Sequence, residues 1–496
     1  MRRYILAHDL GSSGNKATLF DEKGRMVASK VSHYAMNVFN QNWAEQDPEV
    51  WWKAVCESSK SVLSQIDPKE VAAVSFSGQM MGCLCVDKDG RPLYNSLLYC
   101  DQRSTEQAEE MIKKVGFNRI YQICGHRPSA SYSLSKLMWI RAKNPEVFEK
   151  TYKILQAKDY MNFRLTGNFA TDYNDASGTN AFDLHQHAWS HEILDPVGIS
   201  VDKFPEAVPS YTRIGKVTKA ASKECGILEG TDVIVGSGDG GCASMGAGSV
   251  SFGKPYCYMG SSSWVSIASK APVDDPDMIA FTWAHPAQEN LYQPCATMQT
   301  AGASISWFAR NFMGDESGKT LDRMNKLSDS SPIGSNGLFY LPYLVGERSP
   351  WWNPKAKGGF IGLTAATNIN DCCKALFEGI AMNLGINISV MLKEVPDRDV
   401  MFIGGGALNM SMRQLLADVF DCRIIIPQFL TEATSMGAAL LGGVGCGLYK
   451  DYSIIESMNP VQSAILPDMH AHEFYQKHTE LFKQAYKGLE EWFNVQ

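Results

Sequence analysis

The sequence predicts an α/β protein of two domains. Three observations carry this: a β-turn-β segment near the start that feeds a helix and a buried strand, a second such segment halfway along, and a length of 496 residues, too long for one ordinary core. Residues 4–10, the Gly-Ser-Ser-Gly turn at 11–14, residues 16–21, a Lys23-Gly24 turn and the stretch from Val27 onward read as an antiparallel meander. Pro48 then opens a helical pattern in which Val50, Trp51, Ala54, Val55, Ser58 and Val62 share a face, and residues 71–77 form a short buried strand. Residues 256–259, the turn Gly260-Ser261-Ser262-Ser263 and residues 264–268 repeat the opening pattern, as two homologous domains would. The Gly- and Ser-rich stretch 246–253 places the boundary near 249–254, giving domains 1–250 and 251–496. In the second domain the pattern predicts strands at 337–341 and 400–403, a loop at 342–359, and helices at 370–393 and 410–420.

Composition excludes several classes. Hydrophobic residues at 45% and charged residues at 20% are those of a globular protein. The net charge of -7, with Lys and Arg scattered, argues against non-specific nucleic-acid binding. A polyanionic nucleotide is still admissible where backbone N–H groups and a divalent cation neutralise it locally. The apolar stretch at 4–7 is broken by His8 and Asp9, and no apolar run reaches the roughly 18 residues of a membrane span, so a cytoplasmic protein is expected. Thirteen cysteines without a paired C-x-x-C spacing read as mostly buried, reduced thiols. His185, His187 and His191 lack the Cys or carboxylate spacing of a metal site. The pairs Trp51-Trp52 and Trp351-Trp352 read as packing, with stacking or a lid role left open for the second, which lies in an irregular loop.

Three motifs carry chemistry. Asp9-Leu10-Gly11-Ser12-Ser13-Gly14-Asn15-Lys16 joins two strands through a turn whose N–H groups and hydroxyls suit phosphate oxygens, with Asp9 placed to hold magnesium; a plain hairpin is the alternative. In Val233-Ile234-Val235-Gly236-Ser237-Gly238-Asp239-Gly240-Gly241 the glycines match G-x-G-x-x-G, but no acidic residue follows about 20 positions on to bind a ribose. The better reading is a strand delivering Asp239 to its tip as a general base, with flanking glycines keeping the space above it open; a plain helix N-cap is the alternative. Met401-Phe402-Ile403-Gly404-Gly405-Gly406-Ala407-Leu408-Asn409 puts three glycines between a strand and a helix, where an adenosine can approach the main chain, or where a structural turn simply needs them.

The order of these motifs resembles that of the FGGY carbohydrate kinases, of the actin-like ATPase superfamily, over nearly the whole chain. Further agreement lies at Ser75-Phe76-Ser77-Gly78-Gln79-Met80-Met81-Gly82, Tyr99-Cys100-Asp101-Gln102-Arg103, the stretch 133–140, Gly346-Glu347-Arg348-Ser349-Pro350, the stretch 358–363 and Glu378-Gly379. The resemblance implies two actin-like (ribonuclease H-like) ATPase domains with an interdomain cleft for ATP, Asp239 as catalytic base and Asp9 organising Mg2+. It implies Gly11, Ser12, Ser13, Lys16, Gly260 and Ser261 on the phosphates, and Gly302, Gly405, Gly406 and Asn409 on the adenosine. Gln79, Met80, Met81 and Asp101 would face the sugar beside Asp239, with Arg103 supporting that pocket. Domain 1–250 would thus hold the sugar and the magnesium-phosphate hairpin, and domain 251–496 the adenosine.

The chain is most similar to xylulokinase-like members, yet Met81 stands where these typically have His, Gly240 where they have Asn, and Tyr99-Cys100 where they have Trp-Asn. A ketopentose such as xylulose is the acceptor implied, with another ketose, a deoxysugar or a polyol open because the departures fall in the sugar pocket. A non-catalytic sugar or ATP sensor on the same scaffold and a nicotinamide-dependent dehydrogenase are readings of other classes; two retained carboxylates speak against the sensor. Monomer and homodimer both stay open.

Overall fold

The structure is a computed structural model that describes residues 3–40, 42–273, 275–395 and 397–495. Its opening is the expected meander, β1 (Tyr4–Leu10), β2 (Gly14–Asp21) and β3 (Met26–His33), followed by α1 (Pro48–Leu63) and β4 (Val71–Gly78). Then come α2 (Ser133–Lys143), α3 (Ala157–Thr166), β5 (Arg213–Lys216), β6 (Asp232–Gly238) and α4 (Asp239–Gly246). The next elements are β7 (Pro255–Met259), β8 (Ser263–Ile267), β9 (Tyr292–Met298), α5 (Gly302–Phe308) and the long α6 (Ile369–Ser389). The chain ends with β10 (Asp399–Ile403), α7 (Met410–Phe420), β11 (Arg423–Pro427), α8 (Ala433–Gly445), β12 (Val461–Ile465) and α9 (Met469–Val495).

These elements form two compact units. The first comprises Met1–Val250, Thr282–Gln293 and Glu432–Met458; the second comprises Ser251–Phe281, Pro294–Thr431 and Asn459–Gln496. The break at 250/251 lies within the stretch expected from composition, but two later segments, one of them containing α8, belong to the first unit. Sequence order did not mark these returns, because a helix carries no signal of which sheet it will cover.

The first unit's sheet runs β5-β6-β4-β1-β2-β3, with β1, β4 and β6 parallel, and β2, β3 and β5 antiparallel to their neighbours. In the second unit β12, β11, β10, β7, β8 and β9 follow one another, again with a parallel centre of β7, β10 and β11 and an antiparallel meander β7-β8-β9. The two Gly-Ser-Ser turns therefore belong to one plan that six strands of each sheet share.

Local chemistry explains the elements that matter most. Asp47 caps α1 by accepting the Glu49 N–H, Pro48 fills the first turn, and Trp51, Trp52, Ala54, Val55 and Val62 bury the inner face. Burying those side chains is worth about 1.5–3 kcal/mol for each large one, which outweighs the modest helix propensity of a short isolated segment. Trp51 and Trp52 place their indole N–H groups on Gln46 and Glu224, and Trp351 stacks on Tyr486 at 4.0 Å while donating to the Tyr343 hydroxyl. Trp51, Trp52 and Trp351 serve packing. No helix among the described residues is long and apolar enough to cross a membrane, no described group of three or more His, Cys, Asp or Glu could hold a metal ion, and all thirteen cysteines are unpaired.

Candidate active site

Three adjacent parallel strands of the first unit end level with one another: Leu10 of β1 pairs with Gly78 of β4, which pairs with Gly238 of β6. Each delivers a polar group to that edge, Asp9 from β1, Ser77 from β4 and Asp239 as the first residue of α4. The carboxyl ends of parallel strands are where ligands bind, because loops and helix N-termini converge there. With one strand between them and a strand spacing of about 4.8 Å, Asp9 and Asp239 stand on the order of 10 Å apart.

Asp9 is held from both sides: Oδ1 accepts the Ser77 hydroxyl at 2.9 Å and Oδ2 the Thr434 hydroxyl at 2.6 Å. Burial lifts its carboxyl above the usual range, and these two hydroxyls with Lys16 pull it back. Lys16 in turn pairs with Glu432 at 2.6 Å. Asp239 accepts the Gly240 N–H at 2.8 Å. Burial, and after it the negative charge of Asp9, push the Asp239 carboxyl up to about 7. That is the poise a general base needs near neutral pH. The cap of α4 is Gly238, so capping is not the task of the Asp239 side chain.

The glycines around Asp239 do something other than keep space open. A Cβ at Gly236 would lie 2.0 Å from the Phe76 carbonyl oxygen, one at Gly238 2.4 Å from Met80 Sδ, and one at Gly241 2.5 Å from Asn174 Oδ1. They let β4, Met80 and Asn174 close up against the strand tip; only at Gly240, with Met80 Sδ 3.7 Å away, is there room. On the far side, α4 and α8 meet backbone to backbone: a Cβ at Gly246 would sit 1.9 Å from the Ala433 oxygen, and one at Gly437 2.0 Å from the Cys242 oxygen.

The first Gly-Ser turn presents donors outward because its carbonyls are spoken for. Gly11 N–H bonds the Gly14 oxygen at 2.9 Å, the Tyr34 hydroxyl donates to the oxygens of Gly11 and Gly14, and Gln46 Nε2 donates to Ser12 O at 2.7 Å. Among the described residues nothing accepts from the N–H groups or hydroxyls of Ser12 and Ser13. In the second unit the turn between β7 and β8 repeats the device: the N–H groups of Ala301, Gly302 and Ala303 bond the oxygens of Ser261, Gly260 and Ser261, and Ser261 is exposed. Gly302 is required there, since a Cβ would lie 2.3 Å from the Gly260 oxygen. Of the three glycines after β10, Gly404 and Gly406 pack against Met259, and Gly405 alone has an open, exposed face. Asn409 caps α7 through its oxygen, accepting the Met412 N–H at 3.0 Å, which leaves its amide donors for another partner.

Two sequence models of one family match in series: the N-terminal domain of the FGGY family of carbohydrate kinases over residues 4–246, and its C-terminal domain over residues 256–446. The chain belongs to the FGGY family of carbohydrate kinases. It is 32% identical to the xylulose kinase of Bacillus subtilis (strain 168) over 489 residues, which is 98% of this chain and 97% of that protein. Among solved structures, a gluconate kinase from Lactobacillus acidophilus superposes with a TM-score of 0.92 at 28% identity, covering 98% of each chain. A ligand-bound xylulose kinase from Lactobacillus acidophilus does so with a TM-score of 0.93 at 27% identity, covering 99% of each. This protein is thus an ATP-dependent phosphotransferase with a carbohydrate alcohol as acceptor, on the actin-like fold.

The residues expected to face the sugar divide in two. Met81 is part-exposed beside the strand tips, whereas Gln79, Met80, Asp101 and Arg103 are buried behind it. Gln79 Nε2 donates to Gln46 Oε1 at 2.9 Å, and Met80 lies against Gly238. Asp101, expected to face the sugar, has its carboxylate bonded by the Arg103 guanidinium, the Arg103 N–H and the Ala44 N–H at 2.6 Å. Arg103 also bonds Glu45 at 2.7 Å and lies 3.9 Å from the Trp43 ring centroid. Asp101, Arg103 and Glu45 therefore form a buried ionic cluster.

Four functional partners escaped the sequence reading. Ser77 and Thr434 hold Asp9, and Glu432 holds Lys16; Glu432 and Thr434 lie more than 400 positions away in sequence. Beneath the strand tips Lys158 is fully buried with three carboxylates, Asp159 at 2.6 Å, Asp172 at 2.9 Å and Asp175 at 3.1 Å. Ser237, two residues before Asp239, donates to Asp172 at 2.9 Å, so this node steadies the end of β6. The available signal was four charged residues amid apolar and small ones in a stretch otherwise read as core.

Proposed function

We propose that this kinase transfers the γ-phosphate of ATP to a hydroxyl of xylulose. The observation that carries the chemistry is the pair of carboxylates, Asp9 and Asp239, at the tips of parallel strands, one held by hydroxyls and the other raised toward neutral pKa. What supports the acceptor is likeness to xylulose kinases along nearly the whole chain. In this reading Asp239 accepts the hydroxyl proton as the oxygen attacks phosphorus, and the Gly240 N–H fixes the receiving carboxylate. The N–H groups and hydroxyls of Ser12 and Ser13 bind phosphate oxygens, with Gly11 and Lys16 shaping that turn. In the second unit Gly260 and Ser261 make the matching phosphate contacts, and Gly302, Gly405, Gly406 and Asn409 line the adenosine.

The residues fit a magnesium ion bound together with the nucleotide. Asp9 offers one part-buried carboxylate with a single hydroxyl on each oxygen and lone pairs to spare, which suits an ion that keeps most of its waters and phosphate oxygens. When bound, magnesium supplies neutralisation of phosphate charge, and Asp9 is the residue that would hold it.

A gluconate acceptor, suggested by the kinase of that name, would need a cation for its carboxylate. Arg103, Lys136 and Lys158 are buried and committed to protein acceptors, which favours a neutral sugar. The test is ADP release with magnesium ATP and xylulose, ribulose, gluconate or glycerol in turn. Xylulose is expected to give the highest kcat/KM, and EDTA to abolish turnover. A higher kcat/KM for gluconate or glycerol would falsify the acceptor assignment, and ADP release independent of any sugar would remove the kinase reading itself.

A further inference from the structure

Lys136 lies in the stretch 133–140 that carries the family resemblance, and no role has been given to it in the transfer itself. It projects from the first turns of α2 and is fully buried. Among the described residues no carboxylate lies within ion-pair distance of it; its ammonium donates to two main-chain oxygens, Met81 O at 2.9 Å and Ser131 O. Burying a charge with only carbonyls as partners is unfavourable, and burial accordingly lowers its pKa to about 7. A methionine would fill the same volume without that penalty, so the ammonium has a task besides packing.

The carbonyls it binds identify the task. Met81 has φ +63, in the left-handed region that a residue with a long side chain avoids. Its neighbour Gly82 is held from the same helix, the Ser133 hydroxyl donating to Gly82 O at 2.7 Å. Two side chains of α2 thus clamp two successive carbonyls of the segment 79–82, whose Met80 packs against Gly238 next to the base. The second acceptor, Ser131, belongs to a different segment and is tied on its other side to Gln102, whose Nε2 lies 3.1 Å from its hydroxyl.

We propose that Lys136 is a positioning residue of the acceptor pocket: it staples the Met81 and Ser131 carbonyls together and holds Met81 in its left-handed conformation, so that both segments meet the sugar preformed. This rests on the reading that Met81 faces the sugar beside Asp239.

The test is steady-state kinetics of the full chain with Lys136→Met. The expected result is a rise of tenfold or more in KM for the sugar, with kcat changed less than threefold and KM for ATP unchanged. Adding Met81→Gly, which relaxes the left-handed restraint, should recover part of the loss. An unchanged sugar KM in the folded variant, or equal rises in sugar and ATP KM together with a lowered Tm, overturns the proposal. Should Lys136→Met not be recovered folded, Ser133→Ala decides: a two- to fivefold rise in sugar KM at constant ATP KM supports the clamp, and no rise overturns it. Wild-type turnover by Asp239→Asn would instead sink the underlying reading of the site.

Discussion

Replacing Asp239 with asparagine keeps an oxygen for the Gly240 N–H and removes only charge and basicity. Two effects of opposite sign follow. Activity loses its general base, a contribution of typically 10²–10⁴-fold, so kcat should fall by about 3–5 kcal/mol of barrier while nucleotide affinity stays within about twofold. Stability should rise, because the folded state now carries a carboxyl lifted from 3.8 to about 7. At about 1.4 kcal/mol per unit this is a cost of at most ~4 kcal/mol, and water at the part-exposed edge reduces it to ~1–3 kcal/mol. The sign fixes the pH window: below about pH 4 both states are protonated and the cost vanishes, it grows as pH rises from there, and it is complete above about 7. Thermal scans of wild type and variant should therefore show a Tm gain of about 1–3 °C at pH 8 that falls to roughly a third at pH 5. Wild-type turnover, or a Tm gain equal at both pH values, refutes the assignment of Asp239 as a charged base kept under strain.

Three further outcomes are expected. The kcat/KM for the sugar should rise with pH to a plateau through an inflection near 7, the value to which burial and Asp9 push Asp239; a flat profile between pH 5.5 and 8.5 would argue against it. Met81→His should raise kcat/KM for xylulose several-fold, since His tolerates the left-handed backbone better than Met and restores a polar group; an unchanged value removes position 81 from acceptor selection. Gly437→Ala should cost several kcal/mol and lower kcat, because its Cβ would lie 2.0 Å from the Cys242 oxygen and must push α8 from α4; an unaltered Tm would mean that this contact yields freely.

What the sequence disclosed follows local rules. The meander, the Pro48 helix and the helix at 410–420 were legible because period, caps and turns are encoded within a few residues. Asp239 and the two Gly-Ser turns were legible for the same reason. The partners that set their chemistry were not: Thr434 and Glu432 reach Asp9 and Lys16 only after the chain has built a second unit and come back. Glycine was also ambiguous. The same residue that admits a ligand admits a neighbouring main chain, and only the packed structure separates Gly405 and Gly240, which are open, from Gly236, Gly404 and Gly406, which are filled. For Asp101 the motif gave no hint that Arg103 and the Ala44 N–H donate to its carboxylate.

The return of α8 has a consequence for how the protein is made. The helix lies against β1, β4 and β6, and it carries the hydroxyl that holds Asp9. When the ribosome has finished residue 250, the central strands of the first unit exist but lack their cover on that face, and remain so through some 180 further residues of synthesis. The nascent half-protein thus leaves that sheet face uncovered for many seconds at ordinary elongation speed, until α8 arrives to seal it.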